Sequence, residues 1–87
     1  MHRTSISGLW TVVFLGQDGR DVTKVTIQLT PGTIGAYIIK ALEGYGDPSS
    51  VTEADYHVAK ISTVDKVVKV RPRASLFAKL GISEFPV

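Results

Sequence analysis

The chain has no cysteine. That excludes a disulfide scaffold and any thiolate metal site, and it suits a cytosolic protein. No apolar run approaches the roughly 18 residues of a membrane span. The amino terminus, MHRTSISGLW, lacks the long apolar core of a secretory signal. The expected location is therefore the cytoplasm, with any membrane recruitment passing through a partner. There is no G-x-x-x-x-G-K-[ST] loop and no G-x-G-x-x-G, so no nucleotide cradle is indicated. The two histidines are His2, in the polar amino-terminal end, and His57, which reads as a residue of the third strand rather than a catalytic base or ligand. Asp47, Glu53 and Asp55 lack calcium-loop spacing and read as a solvated loop. No catalytic constellation emerges. The expectation is a protein without catalytic residues, metal or cofactor.

What is present fits one small domain of 87 residues, 44% hydrophobic and 21% charged. Met1–Gly8 is polar and is expected to be a flexible extension, leaving residues 9–87 as the domain. The formal net charge is only +2, but it is unevenly placed. Residues 43–56 carry Glu43, Asp47, Glu53 and Asp55 without a cation. Residues 57–80 carry Lys60, Lys66, Lys69, Arg71, Arg73 and Lys79 against Asp65 alone. A basic segment invites an acidic or nucleic-acid partner, although a solvated surface is the commoner meaning.

Periodicity supplies the elements. Leu9–Leu15 (LWTVVFL) is apolar on both faces, as a central strand is. Trp10 at that position reads as core rather than as an exposed anchor. Gly16–Asp21 is turn chemistry, and Val22–Thr30 (VTKVTIQLT) alternates. Val25, Ile27 and Leu29 share one face, with Lys24, Thr26 and Gln28 on the other. Thr30 as N-cap with Pro31 at the first helical position opens a helix, with Thr33 as a competing cap. Ile34, Ile38, Ala41, Leu42 and Tyr45 form its apolar stripe, and Gly44 and Gly46 stop it after about three turns. Tyr37 and Tyr45 flank the stripe and are expected to be partly buried. Gly46–Glu53 is loop. Asp55–Ser62 and Lys66–Arg71 read as a second hairpin. Ala74–Leu80 reads as a short helical turn with Leu76, Phe77 and Leu80 inward, stopped by Gly81. Ile82–Val87 has the composition for one more short strand.

The predicted order is ββαββ, a short C-terminal helical turn and an optional last strand: an α+β fold of the ubiquitin-like β-grasp kind. Four pieces over Leu9–Leu80 carry a resemblance to the Ras-association and Ras-binding domains. They are the hairpin with Gly19 and Lys24, and Ile39-Lys40-Ala41-Leu42, with Lys40 sixteen residues after Lys24. The others are Ala54-Asp55-Tyr56, and Asp65–Val70 followed by Ser75-Leu76-Phe77. The first strand departs from the pattern, with Trp10, Thr11, Val12 and Val13 where members often carry an arginine.

The resemblance implies a non-enzymatic module that binds a Ras-like small GTPase in its GTP form by β-augmentation of strand two. It implies that Arg20, Lys24, Thr26, Gln28 and Lys40 form the contact. A rival reading uses residues 60–79, with Lys66, Lys69, Arg71 and Arg73, as a basic nucleic-acid patch. No run of aromatics accompanies that patch for base stacking. A third reading is an assembly protein pairing through a strand edge. On the leading reading Lys24 and Lys69 belong to separate surfaces, so reversing the charge of Lys69 is expected to leave a strand-two partner unaffected.

Overall fold

The computed structural model describes residues 5–86. Four strands and two helices follow in the order β1 (Ser5–Leu15), β2 (Asp21–Thr33), α1 (Ile34–Leu42), β3 (Tyr56–Ser62), β4 (Val67–Pro72) and α2 (Ala74–Leu80), with a 3-10 turn at Glu53–Asp55. The strands form one mixed sheet ordered β2-β1-β4-β3. β1 pairs antiparallel with β2 and parallel with β4, and β3 pairs antiparallel with β4. β1 is central, as its two apolar faces predict, and β2 and β3 are the sheet's edges.

The helices lie on one side of the sheet. Trp10, Val12 and Phe14 of β1 pack there with Val68 and Val70 of β4, Tyr56 and Val58 of β3, and Ile34, Tyr37, Ile38, Ala41 and Leu42 of α1. Leu76 and Leu80 of α2 close one end. Val25, Ile27 and Leu29 of β2 are half-buried against this core. Burial of such side chains, each worth about 1.5–3 kcal/mol, is the main force holding the two layers together.

Several boundaries differ from the sequence reading. Residues 1–4, with His2, lie outside the described residues. Ser5–Gly8 are strand rather than flexible extension: Ser5 and Ile6 pair with Thr33 and Gly32. The pairing slips opposite Ser7, where β2 carries one extra residue between Leu29 and Gly32, and Gly8 at φ 84° bends this extension. Tyr37 stabilises it. Its ring is wholly buried rather than partly so. Its hydroxyl sits 2.7 Å from the Gly8 carbonyl oxygen, the nearest acceptor for its proton, and receives the Leu29 N–H at 3.3 Å. β2 runs on through Pro31 to Thr33, because Pro31 falls in the irregular stretch between Leu29 and Gly32, where the ladder to β1 is broken and no strand N–H is required. Thr33 therefore caps α1, its Oγ1 accepting the Ala36 N–H at 3.0 Å, and Thr30 does not.

The expected last strand is absent over Ile82–Pro86, and Val87 lies outside the described residues. The tail instead inserts Phe85 between Phe14, Tyr45 and Phe77, with ring centroids at 4.7, 5.1 and 5.2 Å. Gly46, read as a helix stop, has a second role. A Cβ there would stand 2.7 Å from the Leu80 carbonyl oxygen, so only glycine lets this loop approach the end of α2.

Candidate functional site

The side of the sheet away from the helices carries no second layer among the described residues. Register assembles it row by row. Lys24 of β2 is opposite Val13 of β1, which neighbours Lys69 of β4, which is opposite Lys60 of β3. The next row toward Leu9 is Thr26, Thr11, Val67 and Ser62. Gln28 is opposite Leu9, and His57 is opposite Arg71. Strands about 4.8 Å apart place the backbones of Lys24 and Lys69 about 10 Å apart.

Val13 is only 2% exposed although no layer covers it. A lysine stem helps account for this. Lys69 Nζ of β4 reaches across β1 to the Asp21 carboxylate of β2 at 3.3 Å, so its methylenes pass over the β1 surface, while Lys24 Nζ lies 3.9 Å from the same carboxylate along its own strand. The two basic sets separated by sequence reasoning therefore share one anion. Lys69 therefore stands beside strand two rather than on a separate surface.

The other predicted contact residues are distributed as follows. Arg20, in the exposed β1–β2 loop, pairs with Asp18 at 2.7 Å. The Arg20 backbone N–H first, and its guanidinium second, hold the Asp18 carboxyl below its usual range. Lys24, Thr26 and Gln28 stand together, exposed, on the outer face of β2. Lys40 is on α1, on the other side of the sheet plane, paired with Glu43 at 3.2 Å. The β2 edge runs between Lys24 and Lys40, and each of the three cations in this set already has a carboxylate partner.

The alternative set is less neutralised. Lys66 occupies the β3–β4 turn at φ 55°, and Arg73 precedes α2 as its N-cap residue. Among the described residues the cations without an ion pair are Lys60, Lys66, Arg71 and Arg73. All four lie on the β3–β4 hairpin or its exit. Lys79, counted with the basic segment, is committed to Asp55 at 2.7 Å.

Asp55 is the main correction among the acids. It is not a solvated loop residue but 3% exposed. It accepts the Thr52 N–H at 2.7 Å in a capping box, with Thr52 capping the turn in return. The Lys79 ammonium first, then the Thr52 N–H and the Ser75 side chain, bring its pKa down to about 2. Beside it, burial and the neighbouring carboxylates of Glu53 and Asp55 push the Tyr56 hydroxyl up.

Two concavities border this surface. A cleft of about 780 Å³ lies between the β1–β2 loop, α2 and the tail, with Leu15, Val22, Phe77, Ile82 and Phe85 among its walls. An open depression of about 500 Å³ is lined by His57, Ala59, Arg71, Pro72 and Arg73. Sequence reasoning took His57 for an ordinary strand residue and did not single out Ala59 or the bridging role of Asp21. The odd-numbered run Lys69, Arg71, Arg73 was a visible signal for a shared face. The register shift between Val58 and Lys60, which adds Ala59 to that face, had none.

Among the described residues no group of three or more metal-ligating side chains comes together, and no helix is long and apolar enough to cross a membrane. Compared with family models, curated proteins and solved structures, the chain matches none.

Proposed function

We propose that this chain is a non-enzymatic, ubiquitin-like β-grasp interaction module of the Ras-association kind. In this reading it serves in the cytoplasm as part of a larger signalling protein. It docks a Ras-like small GTPase in the GTP form along the β2 edge. One observation carries the reading: β2 is an edge strand that pairs only with β1 and presents Lys24, Thr26 and Gln28 together beside that edge. The strand order, with α1 across one face, is compatible with the β-grasp. Such an edge offers backbone groups for β-augmentation, and cations beside it steer an acidic surface toward it. Arg20 at one end of the strand and Lys40 across the edge extend the basic border.

The test is binding to a panel of small GTPases in both nucleotide states. The GTP form should bind preferentially, because the γ-phosphate orders the switch region. Lys24→Glu should lower affinity at least ~10-fold, about 1.4 kcal/mol. It should change folding stability by no more than about 0.5 kcal/mol, as an exposed substitution does. Lys66→Glu, in the β3–β4 turn rather than on β2, is the control. Loss of binding in Lys66→Glu with silence in Lys24→Glu would remove the β2 edge as the contact.

The unpaired cations Lys60, Lys66, Arg71 and Arg73 favour a second reading, nucleic-acid binding through residues 60–79. It predicts affinity that falls steeply with salt. Absence of DNA and RNA retardation at low ionic strength would dismiss it.

A further inference from the structure

The depression at the start of the β3–β4 pair has a composition that the β2-edge reading does not use. His57 of β3 and Arg71 of β4 are directly opposite in the ladder, on the outer face. Arg73 remains extended, at φ −100° and ψ 165°, and its N–H bonds the Asp55 carbonyl at 2.9 Å, which continues the ladder one step. Arg71 and Arg73 are thus alternate residues on one face, about 7 Å apart along the chain. The β3 register shift turns both Ala59 and Lys60 outward, and the small Ala59 side chain leaves the floor open. His57, Arg71 and Arg73 line the hollow, and no carboxylate residue does among the described residues. The acid facing Arg73 in the register, Asp55, is held by Lys79 and the Thr52 N–H. Arg71 Nη2 rests beside Gly19, 3.9 Å from where a Cβ would be, without an ion pair among the described residues.

We propose that this depression binds a phosphate monoester. A monoester near neutral pH carries about −1.5 to −2 charges and three acceptor oxygens. Two guanidinium forks match that charge and geometry, whereas a carboxylate would leave one cation unmatched. Arg73 and a His57 ring N–H meet the anion from two sides. Arg71 swings its fork from Gly19 into the hollow, at no cost in ion pairs. Ala59 and Pro72 form a floor with no side-chain polar atom to compete.

Amide and side-chain chemical shifts of the intact chain, titrated at constant ionic strength, test the site. The probes are inorganic phosphate, a short phosphoserine peptide, its unphosphorylated form, dimethyl phosphate and an oligonucleotide without a terminal phosphate. Phosphate and the phosphoserine peptide should give saturable shifts at His57, Ala59, Arg71 and Arg73. The Gly19 amide should move as Arg71 leaves it. Tighter binding of the peptide than of inorganic phosphate assigns a phosphorylated side chain as the source, and equal binding assigns a free phosphate ester. The double variant Arg71→Lys, Arg73→Lys keeps the charge but loses the forks, and should bind at least ~10-fold more weakly. Its unchanged amide spectrum elsewhere reports an intact fold. Shifts spread over Lys24, Lys40 and Lys66 would overturn the proposal. So would equal binding of dimethyl phosphate, undiminished binding by the double-lysine variant, or stronger binding of the oligonucleotide than of the phosphoserine peptide. The supporting shifts and the double-lysine variant lie on β3, β4 and the exit of β4, not on the β2 edge, so failure here and failure of the GTPase reading are separable.

Discussion

Among the described residues no buried side-chain polar atom lacks a hydrogen-bond partner, and Tyr37 and Asp55 each tie distant segments together. Tyr37 links α1 to the Gly8–Leu29 pair beside the β1–β2 irregularity through its hydroxyl, where a phenylalanine would leave the Gly8 carbonyl and the Leu29 N–H without that partner. Asp55 links the 3-10 turn to α2 through Lys79. Its pKa falls from an ordinary 3.8 to about 2 on folding, so the folded state favours the ionised form. A depressed carboxylate contributes stability that is complete above the unfolded value and is lost as pH falls through the folded one. Urea-unfolding midpoints should therefore decline between about pH 4 and pH 2 for the native chain. Asp55→Asn should cost about 1.5–3 kcal/mol at neutral pH, the range for a hydrogen bond to a charged partner. The variant should also show a shallower decline over the same acid window. An equal acid slope in both proteins would show that the Asp55–Lys79 pair does not carry this dependence.

The hairpins carry the candidate surfaces, and their turns carry the strain. Lys66 adopts φ 55°, and its carbonyl accepts the Thr11 N–H at 2.9 Å, so pairing with β1 holds the turn in this conformation. A residue with a Cβ pays about 1–2 kcal/mol in the left-handed region. Glycine escapes that cost but loses more freedom on folding. Lys66→Gly should therefore stabilise the domain by about 0.5–1 kcal/mol in equilibrium unfolding. Destabilisation would mean that the lysine side chain makes a compensating contact. Element types were legible because apolar periodicity follows burial: β1, the outward row of β2, the α1 stripe and the second hairpin all follow it. Boundaries were set by contacts that periodicity does not carry. Pro31 suits a helix start or an edge strand equally, and the pairing of Gly32 and Thr33 with Ile6 and Ser5 decides for the strand. The candidate surface was legible only in halves. Alternation grouped Lys24 with Thr26 and Gln28, but their adjacency to Lys69 depends on the parallel β1–β4 pairing between segments more than 40 residues apart.

The tail completes the fold by packing rather than by pairing. At the end of the sheet where β1 turns into the loop, Phe14 of β1, Tyr45 of the loop after α1 and Phe77 of α2 each pack their rings against Phe85. Phe85 is 3% exposed, yet it belongs to a segment without helix or strand. Thr23 fastens the same segment, its Oγ1 donating to the Pro86 carbonyl at 3.3 Å. An 87-residue chain has a small core, so one aromatic that joins a strand, a loop and a helix is a large share of it. Phe85→Ala should cost about 3 kcal/mol or more, the range for emptying an aromatic core position, against a total stability on the order of 5–15 kcal/mol. The loss should appear as a lower urea midpoint with little change in far-UV circular dichroism, because the strands and helices pair without the tail. Thr23→Val, which removes only the neutral hydrogen bond, should cost no more than about 1.5 kcal/mol. Were a C-terminal strand the stabilising element instead, Phe85→Leu would be nearly neutral, since leucine also fills a strand position. With an aromatic cluster it should recover only part of the stability, because an aliphatic side chain cannot restore the three ring contacts worth about 0.5–1.5 kcal/mol each.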